Sequence, residues 1–221
     1  KRQRRTEENG LTSADGEVVH WLKENGVQLD DLSWHRGRMG FSIRAARELK
    51  AGQVVATLPN KLVLTCEAAW ASAVGDVVKK ASVQCSDEMM LWAYMALERN
   101  GDGKWGSYLA ALPSTVSIPT TWEGHFLQTQ LGGTSLYAQV QEERTTINEE
   151  FKSVCSALSG KKEGHSITLD QILWAASMFR SRSFPSSLVE GGSRRPCMLP
   201  LLDMFNHRRG EPIQWCHGPA G

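Results

Sequence analysis

Hydrophobic and polar residues alternate over residues 41–46, near the beginning of the chain. Phe41 and Ile43 fall on one side of this stretch and polar residues on the other, a pattern typical of a half-buried β-strand. A turn with a glycine follows, and residues 53–58, which are mostly apolar and are followed by a proline, predict the second strand of a hairpin. Residues 62–64 predict a short third strand.

The spacing of apolar residues becomes helical further along the chain. The predicted helices cover residues 66–75, 86–100, 121–130, 136–158 and 169–181. Thr168 and Gln171 form a T-x-x-Q capping box at the start of the last of these helices. Another helix is expected over residues 13–25, with Asp15 as its cap and Gly26 as its stop.

Residues 197–202 are apolar and predict a buried strand, so that strands flank the helical block. The predicted fold class is therefore α+β, a β-rich domain interrupted by a large helical insertion. The expected division is a basic, disordered segment over residues 1–12, the first part of the β-rich domain over 13–70, the helical insertion over 71–190, and the start of the second part of that domain over 191–221.

Composition and charge exclude several classes of protein. The 221 residues are 41% hydrophobic and 22% charged, with a formal net charge of +1, which argues against a disordered chain and against nucleic-acid binding by bulk charge. No apolar stretch is long enough to span a bilayer, so we expect no membrane contact. Five scattered cysteines without C-x-x-C pairs indicate the reduced thiols of an intracellular protein.

The two ends of the chain have features of their own. The basic opening KRQRR is either a nuclear address, a phosphate contact or a solvated end, and a solvated end is favoured for so short a run. The sequence starts without methionine and ends on Gly-Pro-Ala-Gly, so we expect a fragment of a longer protein.

Arg182 and the segment that begins at Asp203 are the candidate functional residues. Arg182 lies in the last turn of a predicted helix, where a cation interacts favourably with the helix dipole, or where its guanidinium presents paired donors to a carboxylate. Asp203 ends an apolar strand, where an ionised acid costs free energy unless it is hydrogen-bonded. Asn206 and His207 follow, and this segment fits ligand binding and local turn formation equally well.

Other chemistries have little support in the sequence. Cys197, His207, Cys216 and His217 have none of the common zinc-site spacings, so no metal site is predicted. The chain contains neither a G-x-S-x-G nucleophile elbow nor a G-x-x-x-x-G-K-[ST] phosphate loop, which argues against a serine hydrolase and a P-loop nucleotidase.

Five stretches occur along the chain in the order GFSIRAARELKAGQVVATLP, YLAALPSTVSIPTTW, LQTQL, WAASMFRSRSF and MLPLLDMFNH. Together they resemble the ordered landmarks of SET-domain methyltransferases, of the type that includes the plant Rubisco large-subunit lysine methyltransferase and the actin-histidine methyltransferase. The resemblance runs from about Gly37 to His207. It implies a SET fold that carries a helical insertion.

The resemblance implies that S-adenosyl-L-methionine is the cofactor. The cofactor-binding residues that it implies are Ile43, Arg44, Ser181, Arg182, Asp203, Asn206 and His207. In this arrangement the first two lie along the cofactor, and Ser181 and Arg182 approach the carboxylate of its methionine part. The chemistry agrees, because a zwitterionic tail requires a cation and carbonyl oxygens, and an adenine requires a flat apolar wall.

The activity that the resemblance implies is methyl transfer to a protein side-chain nitrogen, with lysine as the first expectation and histidine as the alternative. In this family a catalytic tyrosine follows the Asn-His motif. Tyr94, Tyr108 and Tyr137 all precede it, so we expect that tyrosine beyond residue 221.

A non-catalytic SET-like binding module is therefore the second hypothesis. The expected protein is a monomer that acts on a protein substrate, in the cytoplasm or the nucleus, or in a plastid if its source is photosynthetic. Nucleic acid is not expected as a partner.

Overall fold

The structure is a computed structural model that describes residues 11–29, 31–37, 40–100, 103–161, 167–188 and 195–215. Residues 1–10 of the predicted basic segment and residues 189–194 of the loop before residue 197 lie outside these residues. Within them, no helix is both long and apolar enough to cross a membrane.

Helices dominate the described residues, and short strands flank the helical block. The helices are α1 (Ser13–Glu24), α2 (Cys66–Trp70), α3 (Ala73–Lys80), α4 (Asp87–Asn100), α5 (Gly106–Ala111), α6 (Gly124–Leu131), α7 (Ser135–Leu158) and α8 (Leu169–Arg182). The strands are β1 (Leu32–Gly37), β2 (Gly40–Ala45), β3 (Ser183–Phe184) and β4 (Cys197–Met198). This order confirms the predicted α+β class and the position of the helical block between strands. The predicted domain boundaries stay a prediction.

The predicted hairpin has the wrong partner strand. β2 forms an antiparallel pair with β1, in a register that joins Trp34 to Ile43, whereas residues 53–58 form no ladder with the described strands. β1 is the nearest segment in sequence, and the Trp34 ring stacks on Phe41 with centroids 5.3 Å apart. Aromatic contacts between neighbouring strands stabilise such a pair, which explains why β2 pairs with β1 and not with residues 53–58.

The strands predicted over residues 62–64 and 197–202 are also shorter than expected. A single antiparallel bridge joins Leu64 to Met198, and β4 pairs only with β3. The chain then turns into a short 3₁₀ helix, Leu202–Met204. A run of apolar residues does not reveal by itself where a strand stops and a buried turn starts.

The helix predicted over residues 66–75 is divided into α2 and α3. Ser72 caps α3 by accepting a hydrogen bond from the Gly75 amide. Gly75 also passes so close to α2 that a Cβ atom at this position would lie 2.4 Å from the Trp70 carbonyl oxygen. The close approach of the two short helices therefore requires glycine at this position.

Two predicted helix starts are confirmed and one is wrong. Thr168 and Gln171 form the expected capping box on α8, and Ser86 accepts a hydrogen bond from the Met89 amide at the start of α4. The cap of α1 is Thr12, and Asp15 is the third residue of that capping box. The error arises because Thr, Ser and Asp all cap helices, and three of them stand close together here.

α4 is the centre of the hydrophobic core. Residues 89–96 are buried without interruption, and α4 contacts α2, α5, α7 and α8. A helix that is apolar on all sides is stable only when other elements enclose it, so α4 forms the platform on which the others pack. Four described cysteines are free thiols, and they are Cys66, Cys85, Cys155 and Cys197.

A buried ion pair joins α1 to β1. The Asp15 side chain is fully buried and accepts two hydrogen bonds from the Arg36 guanidinium, one of them over 2.6 Å from Nε. Burial opposes ionisation of Asp15, but the bonds from Arg36 and Thr12 outweigh it and lower the pKa of the carboxyl. This pair fixes the hairpin against the first helix.

We expect Asp15→Asn to lower the free energy of unfolding by about 2 kcal/mol, because it removes charged hydrogen bonds from a buried site. Urea unfolding at neutral pH measures the change. The control is Glu24→Gln in the same helix, where the carboxylate is exposed and pairs with the exposed His20. Equal stability of the two variants would contradict a structural role for the Asp15–Arg36 pair.

Candidate functional site

Three segments that carry the sequence-predicted site residues converge on one side of the helical block. The 3₁₀ helix Leu202–Met204 contacts β2, while the end of α8 contacts β3 and β4. Ile43 and Arg44 lie on β2, and Arg182 is the last residue of α8. The fold therefore brings together segments that are far apart in the sequence.

Asp203 is at the centre of this site. Its side chain is fully buried, and its Oδ2 atom accepts a hydrogen bond of 2.9 Å from the Tyr108 hydroxyl and one of 3.2 Å from Arg182 Nη1. The same Nη1 atom donates to the Asp203 main-chain oxygen over 3.1 Å. Asp203 Oδ1 is also buried, and it has no hydrogen-bond partner among the described residues.

The electrostatics of Asp203 follow from this geometry. Burial raises the pKa of its carboxyl to about 6, and Arg182 and the Tyr108 hydroxyl limit the rise because both favour the carboxylate. Burial likewise raises the pKa of Tyr108, and the neighbouring Asp203 charge raises it further. Tyr108 is therefore protonated at neutral pH and donates its hydrogen to Asp203.

The backbone before Asp203 is strained. Leu201 is fully buried and has φ of +79°, a conformation that residues with a Cβ atom rarely adopt. It starts the turn that leads into the 3₁₀ helix, where the Met204 amide donates to the Leu201 carbonyl oxygen over 3.0 Å. Strain of this kind persists only when the surrounding structure enforces it, and here it carries the Asp203 carboxylate towards Tyr108 and Arg182.

The other predicted site residues lie around this centre in different environments. Ile43 is buried in β2, and Arg44 beside it is exposed. The Ser181 hydroxyl donates to the Ser177 and Met178 carbonyl oxygens of its own helix, at 2.7 and 3.1 Å. Asn206 and His207 follow the 3₁₀ helix and are both exposed.

Tyr108 is the site residue that sequence reasoning missed. It is fully buried on α5, 95 residues before its partner Asp203, and its ring stacks on Trp21 of α1 with centroids 6.4 Å apart. The tyrosine is visible in the YLAALP stretch, but only the folded chain shows that its hydroxyl has a carboxylate partner. A buried tyrosine hydroxyl normally has a hydrogen-bond partner, and this general tendency was the one sign that the sequence offered of a partner for Tyr108.

The chemistry of these groups fits a zwitterionic ligand such as the amino-acid tail of S-adenosylmethionine. The Arg182 guanidinium has five N–H groups, and its bonds to Asp203 use only Nη1. An acceptor such as a carboxylate suits the guanidinium, and a donor such as an ammonium group suits Asp203 Oδ1. Both ligand groups are present in a free α-amino acid moiety.

We expect Asp203 to give the protein a distinctive pH dependence of stability. Its pKa in the folded state is about 6, against an ordinary value of 3.8, so the folded protein binds the proton more tightly. Stability from this group is therefore highest below about pH 4 and falls by about 3 kcal/mol as the pH rises through 6. Asp203→Asn lacks this dependence and differs from the wild type by an amount that changes with pH.

Urea unfolding of both proteins between about pH 4 and about pH 7 tests this expectation. Asp76→Asn is the control, because Asp76 is 59% exposed and pairs weakly with Lys79. If the stability curves of the wild type and Asp203→Asn run parallel over this range, the Asp203 carboxyl does not have a raised pKa.

Known protein methyltransferases resemble this chain in sequence. No family model matches the chain. An actin-histidine N-methyltransferase of Xenopus tropicalis is 26% identical over 202 residues, which cover 88% of this chain and 35% of that protein. A ribosomal lysine N-methyltransferase of Schizosaccharomyces pombe is 28% identical over 166 residues, or 71% of this chain and 30% of that protein. The chain thus spans less than half the length of these relatives.

Solved structures of other proteins resemble this chain in fold. The SET domain of LSMT bound to lysine and AdoHcy matches 93% of this chain with a TM-score of 0.76 and 22% identity, and the match covers 46% of that chain. Rubisco LSMT bound to AdoMet matches 90% of this chain with a TM-score of 0.70 and 24% identity, again over 46% of that chain. The resemblance to SET-domain methyltransferases is confirmed, and the chain has the fold of a SET domain.

Proposed function

We propose that this chain is part of an S-adenosylmethionine-dependent protein N-methyltransferase whose acceptor is a lysine side chain. The observation that carries the proposal is the buried Asp203 carboxylate, which is held by Tyr108 and Arg182 and keeps one oxygen unpaired among the described residues. A buried acceptor without a donor costs free energy, so it is retained where a ligand supplies the donor. The SET fold and the methyltransferase relatives support the same function.

Arg182 and Asp203 are the residues that we propose to hold the methionine part of the cofactor. Arg182 donates hydrogen bonds to the carboxylate of the methionine part, and Asp203 Oδ1 accepts a hydrogen bond from its ammonium group. Their mutual bond keeps both side chains in one geometry before the ligand arrives, so that less conformational entropy is lost on binding. Ser181 lies beside Arg182 at the end of α8, and in this proposal it is next to the carboxylate of the methionine part.

The adenosine part requires an apolar surface and a few polar contacts, and the remaining predicted residues supply both. Ile43 contributes the apolar surface from β2, and Arg44 follows it on the same strand. Asn206 offers a donor and an acceptor to a base edge, and His207 offers a flat ring. Both are exposed in the described structure, so each is free to meet a ligand without breaking a buried contact.

S-adenosylmethionine supplies an electrophilic methyl group on a sulfonium. The contribution of this chain is to position that group through Arg182 and Asp203, since catalysis of methyl transfer depends on in-line orientation and electrostatic fit.

Lysine is the proposed acceptor of the methyl group, and a protein is the proposed partner. The lysine methyltransferases among the similar structures and relatives support lysine, and the actin-histidine methyltransferases keep histidine as the alternative. The substrate is a protein, and the enzyme acts as a monomer without a nucleic-acid partner, in the cytoplasm or the nucleus, or in a plastid if its source is photosynthetic. The near-neutral charge of the chain agrees with the absence of nucleic acid.

We expect S-adenosylhomocysteine to bind this chain in a calorimetric titration, and Arg182→Ala and Asn206→Ala to weaken binding by about 1–3 kcal/mol each, which is typical of lost charged or buried hydrogen bonds. Arg182→Lys keeps the charge but removes the planar fork, so it weakens binding too. Arg180→Ala is the matched control, because Arg180 lies in the same helical turn but pairs with Glu143.

Two outcomes would contradict the proposed site. One is the failure of S-adenosylhomocysteine to bind to a chain that unfolds cooperatively. The other is an equal loss of affinity in Arg182→Ala and Arg180→Ala, which would indicate a general effect of charge.

We expect the full-length protein to transfer a labelled methyl group from S-adenosylmethionine to protein, and acid hydrolysis of the product to release methyllysine. Amino-acid analysis distinguishes methyllysine from methylhistidine. Methylhistidine would establish the alternative acceptor. Cofactor binding without methyl transfer to any protein in a lysate would favour a binding module instead.

A further inference from the structure

An acidic groove lies on the opposite side of α8 from Asp203, where α4, α7 and the end of α8 meet. Its volume is about 530 Å³, and Trp92, Val140 and Ile147 supply its apolar lining. All three of these residues are less than 5% exposed, so the base of the groove belongs to the hydrophobic core. Leu136, which is 45% exposed, stands at the edge of the groove.

Four glutamates and one arginine supply the charge of the groove. The glutamates are Glu88, Glu142, Glu143 and Glu150. Arg180 forms an ion pair with Glu143, and Glu150 accepts hydrogen bonds from the Ser86 amide and hydroxyl at 3.1 and 2.7 Å. Glu88 and Glu142 have no ion-pair partner within the described part of the chain. The groove therefore carries a net negative charge.

Trp92 provides an aromatic surface at the base of the groove and a buried polar group without a partner among the residues described. The side chain lines the groove and is 3% exposed, and its indole N–H has no acceptor among the residues described. Arg180 lies over the ring, 5.2 Å from the centroid, so the ring face is occupied and the N–H is the polar group that remains. A buried tryptophan N–H usually has an acceptor, and a peptide carbonyl is the commonest one in proteins.

The arrangement of the glutamates favours an extended chain over a single ion. No group of three His, Cys, Asp or Glu side chains in the described ranges is placed to hold a metal ion. Glu142 and Glu150 are separated by eight residues of one helix, or about 12 Å, which is close to the length of four residues of an extended peptide. Carboxylates spread over such a distance match cationic side chains on alternate residues of a peptide.

We propose that this groove binds an extended segment of a partner protein that is rich in arginine or lysine. Cationic side chains of the segment meet Glu88 and Glu142, and an apolar residue of the segment packs on Leu136 and on the apolar base of the groove. The proposal does not depend on methyl transfer, because none of these residues takes part in the proposed cofactor site.

The test is fluorescence anisotropy of a labelled peptide of alternating arginine and serine, titrated with the full chain at low ionic strength. We expect saturable binding that weakens as salt screens the charges. Glu88→Gln with Glu142→Gln weakens it about threefold to tenfold, as expected for two partly exposed charge pairs. Leu136→Ala removes the exposed apolar side chain at the edge of the groove, and it weakens binding by a similar factor.

Glu149→Gln is the matched control, because Glu149 is an exposed residue of α7 that does not line the groove. Three results would overturn the proposal: an equal loss of affinity in Glu149→Gln, equal binding of a glutamate–serine peptide, or an absence of binding to a chain that unfolds cooperatively. Displacement of the peptide by calcium or magnesium, beyond the effect of matched ionic strength, would also overturn it and indicate a cation site. S-adenosylhomocysteine binding, measured in parallel, shows independently whether the proposed function holds.

Discussion

A buried carboxylate stays ionised only if other groups compensate the loss of hydration, and the Asp203 side chain is fully buried. Its partners come from two helices that are distant in sequence: Tyr108 on α5 and Arg182 at the end of α8. The packing of both helices on α4 is therefore a condition for the site. The strained turn at Leu201 positions the carboxylate, and the stacking of Trp21 on Tyr108 fixes one of its partners.

The last turn of α8 carries two arginines with different surroundings. Arg182 faces Asp203, whereas Arg180 faces Glu143 and the Trp92 ring on the other side of the helix. Two residues along an α-helix correspond to about 200° of rotation, so the two guanidinium groups point in nearly opposite directions. One helix end thus separates the proposed cofactor site from the acidic groove. The two places are connected through the backbone of this turn and through α4, which carries Trp92 and packs against both α5 and α8.

Local sequence patterns predicted local structure well. The capping box of Thr168 and Gln171 was recognised because its contacts lie within one helical turn, and Ser86 was recognised for the same reason. The partner of β2 was predicted wrongly, because pairing depends on competition between β1 and residues 53–58. Partners across the chain, such as Arg36 for Asp15 and Tyr108 for Asp203, are set by packing of the whole fold. The family resemblance predicted the fold because it draws on the order of motifs along the entire chain.

The hydrogen bond between Tyr108 and Asp203 closes a loop of 95 residues. Loop closure costs conformational entropy that grows with the logarithm of loop length, and contacts made within the loop must offset this cost first. The helices between α5 and α8 provide those contacts, so we expect them to assemble before the carboxylate is captured. We expect the site to form late in folding, and transient detachment of the segment that contains Asp203 to open it while the helical block remains folded.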